Sequence, residues 1–271
     1  MASVIMTVNG LNVHYKIINP RVEKTVVLLH GFTGSSATWD KVMSLMGDQV
    51  RIIAIDLNGH GYTDSPNNVE HYSMKKQIAV LHELLVQRGI NIFTLVGYSM
   101  GGRIALAYAL EYPETIEQLI LESASPGLQT IEERTVRVKA DNTLADRLEE
   151  EGIQAFVDHW ENISLFESQK NLPLDIQEEI RAERLLQNER GLANSLRGVG
   201  TGQQKSYWDE LTRFTKPVVL VTGELDKKFY QIAVDMKNLF QNCKHVVVPK
   251  AGHAIHVENP ETFATIIEEQ I

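Results

Sequence analysis

The chain contains one cysteine, Cys243, in 271 residues, so no disulfide can form within it. Its stability must come from a buried core, and 43% hydrophobic residues over this length are enough to build one. There is no surplus of basic residues: 26 Lys and Arg face 35 Asp and Glu, for a formal charge of -9. A nucleic-acid binder would carry a basic stripe, and none is visible. The acidic average does not exclude an anionic substrate, because a cationic pocket can sit inside an acidic protein. No stretch reaches the ~18 apolar residues of a membrane span, and residues 1–10 hold no positive segment leading into a long apolar run. No group of His, Cys, Asp or Glu has metal-ligand spacing. The expectation is a cytoplasmic enzyme with no nucleic-acid or membrane partner, a monomer or weak homo-oligomer.

What is present is an alternation of strand and helix signals. "VIMTVNGLNVHYKI" reads as two strands joined at Asn9-Gly10, a strong hairpin signal. "TVVLLHG", "RIIAIDLNG", "FTLVGYS" and "EQLILESAS" are short apolar runs suited to parallel strands buried on both faces. Helical stretches at Ser73–Arg88 and Gly101–Tyr112 lie between them. From about Pro126 to Trp208 no strand is convincing, and "LADRLEEEGIQAFVDHW" and "DIQEEIRAERLLQ" have helical spacing. Strands return at "KPVVLVTGELD" and "CKHVVVPKAGH". This predicts a mostly parallel α/β sheet interrupted by a helical cap over the edge where such sheets bind ligands.

Gly97-Tyr98-Ser99-Met100-Gly101 matches the G-x-S-x-G turn, which presents a serine nucleophile between a strand and a helix. The serine needs a base. Among the 9 histidines, His253 follows the last strand signal, where the order Ser, Asp, His would place it. His256 is the nearest rival, while His14, His30 and His60 precede the serine. The histidine needs an acid to fix its tautomer. Asp226, just after "PVVLVTG", is favoured, with Glu122 at the end of "EQLILES" as the alternative. An oxyanion hole needs two backbone amides. Phe32, in His30-Gly31-Phe32, and Met100, just after the serine, are expected to supply them. "HGFTGSS" has neither the Lys nor the Gly spacing of a phosphate loop.

HGFTGS, DLNGHGYTDS, GYSMGG, the late Asp226 and Gly252-His253 together resemble the α/β-hydrolase superfamily. The implied fold is α/β: a mostly parallel central sheet flanked by helices, with residues 1–125 and 209–271 as core and 126–208 as an inserted helical cap. These motifs do not set the substrate. More specific pieces do: "GYSMGGR", "SPGLQTIEERTVRVKAD", "FVDHWENISLF", "RLLQNERGLANSLRGVGTG" and "AGHAIHVENP". Through these, nearly the whole chain resembles the 2-succinyl-6-hydroxy-2,4-cyclohexadiene-1-carboxylate synthases, pyruvate-releasing lyases of menaquinone biosynthesis. The resemblance implies a small polycarboxylate substrate and no metal or organic cofactor. It implies substrate contacts at Tyr98, Arg103, Arg137, Trp160 and Arg184, with Arg181 or Arg190 as alternatives to Arg184.

The residues agree in part. Arginine suits a polyanion because its planar fork binds carboxylates bidentately. Arg103 stands one turn past Ser99 in an otherwise apolar run, a costly place for a charge unless it has a partner, be it an acid or a substrate. Arg137 and Arg184 alone would read as solvated helix charges, Trp160 as cap core, and Cys243 as a small hydrophobe. The same triad could also serve an ester or carbon–carbon bond hydrolase through an acyl-enzyme, or survive unused in a small-molecule receptor.

Overall fold

The computed structural model describes residues 1–271. Eight strands form one sheet: β1 (Ala2–Val8), β2 (Leu11–Ile18), β3 (Thr25–Leu29), β4 (Arg51–Ile55), β5 (Phe93–Tyr98), β6 (Ile116–Glu122), β7 (Val218–Gly223) and β8 (Cys243–Val248). Their order is β1-β2-β4-β3-β5-β6-β7-β8. β1 and β2 form the expected antiparallel hairpin, β2 runs antiparallel to β4, and every later pairing is parallel. β3, β5 and β7 are buried along their whole length, as continuous Val, Ile and Leu runs should be when helices cover both faces.

Nine helices accompany the sheet. α1 (Asp40–Leu45) and α9 (Pro260–Glu268) cover one face, and α2 (Met74–Gln87), α3 (Met100–Glu111) and α7 (Lys227–Lys237) cover the other. The short α8 (Ile255–Glu258) leads into α9. Strand order reverses between β3 and β5, so the loops leaving these two strands open a crevice, the usual ligand site of such sheets.

Between β6 and β7 the chain forms only helices: α4 (Ile131–Trp160), α5 (Leu174–Leu185), α6 (Glu189–Val199) and short 3-10 turns. Thr130 and Glu133 close a capping box at the start of α4. The sequence reads "LADRLEEEGIQAFVDHW" as one helical stretch, but Gly152 breaks it with φ 82°. That conformation suits glycine alone at little cost. The freed Ile153 amide donates instead to the Glu189 carboxylate at 2.8 Å. The break lets Phe156 and Val157 pack with Ala145, Leu148, Leu192, Ala193 and Leu196 in a small core separate from those under the sheet. No helix is long and apolar enough to cross a membrane.

Candidate active site

Ser99 sits between β5 and α3 with φ 49° and ψ -106°, a strained backbone for a residue with a side chain. Its neighbours enforce the turn: Ser99 N donates to Glu122 O at 2.9 Å, and Arg103 N donates to Ser99 O at 3.0 Å. A side chain at Gly97 could not fit, because a Cβ there would lie 2.5 Å from the Gly101 carbonyl oxygen. The G-x-S-x-G spacing therefore follows from how closely the strand and helix approach.

His253 Nε2 lies 3.1 Å from Ser99 Oγ, and His253 Nδ1 lies 2.6 Å from Asp226 Oδ2. The other Asp226 oxygen accepts the Phe229 amide at 3.2 Å, capping α7 and fixing the carboxylate. With Nδ1–H directed to the carboxylate, Nε2 is free to accept the serine proton. The two rivals from the sequence face each other instead. His256 donates from its backbone amide to Glu122 Oε1 at 3.0 Å, its Nδ1 lies 2.9 Å from the same oxygen, and its Nε2 meets Thr38 Oγ1 at 3.0 Å.

Phe32 lies in the turn after β3 and Met100 begins α3; both line the cavity above Ser99. A first-turn helix amide such as that of Met100 has no partner within its helix. The turn's own bond runs from Gly34 N to Gly31 O at 3.1 Å and leaves the Phe32 amide out. Two backbone donors are thus available beside the serine.

The cavity is about 210 Å³, and Tyr98, Ser99, Arg103, Arg137, Trp160, Lys228 and His253 are among its lining residues. Arg103 has no acid as a partner. It donates to Val199 O at 2.8 Å and to Gln204 Oε1 at 2.9 Å, both in the helical segment between β6 and β7. Burial, and after it the neighbouring Arg137 charge, pull its pKa down to about 10, so it remains charged at neutral pH. Arg137 donates to Asp141 at 2.7 Å. Trp160 packs against Phe32, Phe156 and Phe166, and its buried Nε1–H has no partner. Burial first, then the Glu122 charge, push the Tyr98 phenol well above its usual range, so it stays protonated.

Arg184 is not in this cavity. It lines an adjoining cleft that shares Phe32, Tyr98 and Phe166 with it. There it stacks 4.6 Å from the Phe166 ring and donates to Gln169 at 3.0 Å. Glu183, its neighbour on α5, accepts from Ser35 N and Oγ at 2.8 and 2.7 Å and ties α5 to the loop after β3. Arg181 is paired with Asp158 and Glu161, and Arg190 donates to Asn67; neither lines the cavity or the adjoining cleft.

Residues 24–260 match the family model of the alpha/beta hydrolase fold. A Bacillus subtilis (strain 168) protein, assigned by name as a 2-succinyl-6-hydroxy-2,4-cyclohexadiene-1-carboxylate synthase, is 44% identical over 271 residues, spanning 99% of this chain and 98% of its own. The synthase of that name from Enterobacter sp. (strain 638) is 31% identical over 244 residues, 90% of each chain. The solved structure of MenH from S. aureus superposes with a TM-score of 0.90 at 38% identity, covering 94% of this chain and 97% of that one. The chain belongs to the 2-succinyl-6-hydroxy-2,4-cyclohexadiene-1-carboxylate synthase family.

Two residues of this synthase-family site escape a reading of the sequence. Gln204, which holds Arg103, lies in a short polar stretch with no periodicity to mark it. Lys228 follows Asp226 by two positions in "GELDKKFY", where it reads as a solvated helix charge, yet it lines the cavity. The nearness of a lysine to the expected acid is the one signal that could have marked it.

Proposed function

We propose that the chain eliminates pyruvate from 2-succinyl-5-enolpyruvyl-6-hydroxy-3-cyclohexene-1-carboxylate, giving 2-succinyl-6-hydroxy-2,4-cyclohexadiene-1-carboxylate. The chain is a carbon–oxygen lyase of menaquinone biosynthesis. The observation that carries this reading is that Arg103, with no carboxylate partner of its own, lines the same cavity as Ser99 and His253. An esterase for neutral esters has no use for an uncompensated buried cation there; a polyanionic substrate supplies its counter-charge.

In this mechanism Ser99 Oγ takes the acidic proton from the carbon next to the succinyl ketone as His253 Nε2 takes the hydroxyl proton. A serine hydroxyl alone is far too weak a base, so the 3.1 Å contact is essential. Asp226 orients His253 and stabilises the imidazolium. The Phe32 and Met100 amides hold the enolate oxygen. The electron pair then moves through the ring, the carbon–oxygen bond breaks, and enolpyruvate leaves, gaining a proton to become pyruvate. His253 returns its proton, so no oxidant, reductant or water is consumed.

Arg103 and Arg137 hold one carboxylate between them. Their mutual repulsion, part of what lowers the Arg103 pKa, is relieved by an anion. Arg184 holds a second, from the adjoining cleft whose lining shares Phe32, Tyr98 and Phe166 with the cavity. Residues 126–208 act as a cap over the core formed by 1–125 and 209–271. The protein works in the cytoplasm as a monomer or weak homo-oligomer.

The test is to mix the protein with the enolpyruvyl precursor and follow pyruvate with a coupled dehydrogenase. One pyruvate per substrate, with little turnover of nitrophenyl esters, supports the reading. Rapid ester hydrolysis without pyruvate release overturns it.

A further inference from the structure

Lys228 is a lysine of the catalytic cavity, and three features bear on its role. It lines the cavity together with Ser99, Arg103 and Arg137, and it also lines an outer groove with Leu165, Asp226, Gly252 and His253, so it stands at the mouth between them. Its ammonium makes no ion pair and lies 5.6 Å from the Phe229 ring, which in turn packs 4.6 Å from the His253 ring. It also sits in the first turn of α7, beside Lys227, with no acidic residue in that turn. A cation there opposes the helix dipole and costs some stability, so the helix itself gives no reason for it.

We propose that Lys228 is a substrate-binding residue, holding a substrate carboxylate at the mouth of the reaction cavity. This rests on the lyase reading above and extends it. The substrate of that reaction carries three carboxylates. The pair Arg103 and Arg137 is one cationic station, and Arg184 in its cleft is a second. Lys228 is the third, on a different wall. α3 follows β5 and α7 follows β7, two strands away in the sheet. At ~4.8 Å per strand their first turns stand roughly 10 Å apart, and the two cationic stations line one cavity with Ser99 and His253. A substrate bound at both ends is thereby held with its reacting carbon over the serine. A lysine suits the mouth, because a flexible point charge can meet a carboxylate that stays partly in water.

The experiment uses Lys228→Met and Lys228→Arg in two backgrounds. In otherwise unaltered protein, pyruvate release is measured at low and high salt. Lys228→Met should raise KM about 5- to 10-fold at low salt with kcat little changed, and the difference should shrink as salt screens the contact. Lys228→Arg should restore most of the loss. Melting temperature should rise slightly in Lys228→Met, since the dipole conflict is gone; a lysine serving only the fold would lower it. In the Ser99→Ala background, calorimetry with the enolpyruvyl tricarboxylate reads binding without turnover, and Lys228→Met should weaken Kd by a similar factor. An unchanged Kd and KM in Lys228→Met overturns the proposal. Failure of the parent protein to release pyruvate counts against the lyase reading instead, while calorimetry still decides whether Lys228 holds the anion.

Discussion

Two serine–histidine–aspartate chains occur in this molecule, and only one stands in a cavity. In the first, Ser99 Oγ, His253 and Asp226 are linked at 3.1 and 2.6 Å. In the second, Ser3 Oγ lies 2.6 Å from His14 Nε2, and His14 Nδ1 lies 2.7 Å from Asp56 Oδ2. The second has the shorter serine–histidine link, and its histidine–aspartate link is nearly the same. Ser3, however, lies on the edge strand β1 in ordinary extended backbone, exposed to solvent. Asp56 accepts from Ser36 N at 2.5 Å and Tyr62 N at 2.8 Å, so it serves as a staple for two loops. Connectivity is easy for a fold to produce. A strained turn that presents the hydroxyl, free amides beside it and unneutralised cations around it are not, and only Ser99 has all three.

The largest expected effect comes from making the same substitution in both chains. Ser99→Ala should cost about a thousandfold or more in kcat for pyruvate release, whereas Ser3→Ala should leave kcat unchanged. Comparable losses in the two variants would remove the distinction. Next in size is Arg137→Ala, which should lower kcat/KM by roughly 10- to 100-fold, since a charge-assisted hydrogen bond is worth ~1.5–3 kcal/mol. Steady-state kinetics and a melting curve check it together: the melting temperature should fall by a few degrees, because the buried Asp141 carboxylate loses its partner, while Arg137→Lys should recover stability more fully than activity.

The second chain should show itself in stability. Burial alone would raise the Asp56 carboxyl, but hydrogen bonds from His14, Tyr62 and Ser36 and the nearby His30 outweigh it and bring the pKa from 3.8 down to about 2. A carboxyl whose folded pKa is depressed stabilises the fold above its unfolded pKa, and that stability is lost as pH falls through the folded one. The shift corresponds to about 2 kcal/mol at neutral pH. Asp56→Asn should therefore unfold about 2 kcal/mol more easily in urea at pH 7, with the gap narrowing between about pH 4 and pH 2. A gap that stays constant on acidification would contradict this. The smallest effect is the stability change in Ser3→Ala, expected to stay within ~1 kcal/mol because an exposed hydroxyl recovers its bond from water.

Much of this was legible in the sequence, for physical reasons particular to each element. The runs "TVVLL", "FTLVGY" and "VVLVTG" could be read because a strand buried on both faces has no polar alternation. The elbow could be read because close packing dictates its glycines. His253 and Asp226 could be favoured over His256 and Glu122 from the order Ser, Asp, His along the strand ends, but that the two rivals pair with each other is visible only in the fold. The break at Gly152 was hidden because a single glycine also occurs within helices. Arg184 carries the right residue type, but whether it faces the cavity or the neighbouring cleft depends on how α5 docks through Glu183 and Ser35.

The central claim is that Ser99 acts as a base and forms no bond to carbon. Intact mass of the protein, quenched during steady turnover of the enolpyruvyl substrate, tests it most directly. The expected result is unmodified protein throughout, with one pyruvate formed per substrate consumed. A covalent adduct on Ser99 that forms and decays at the turnover rate would contradict it, and would make the enzyme one that works through an acyl intermediate.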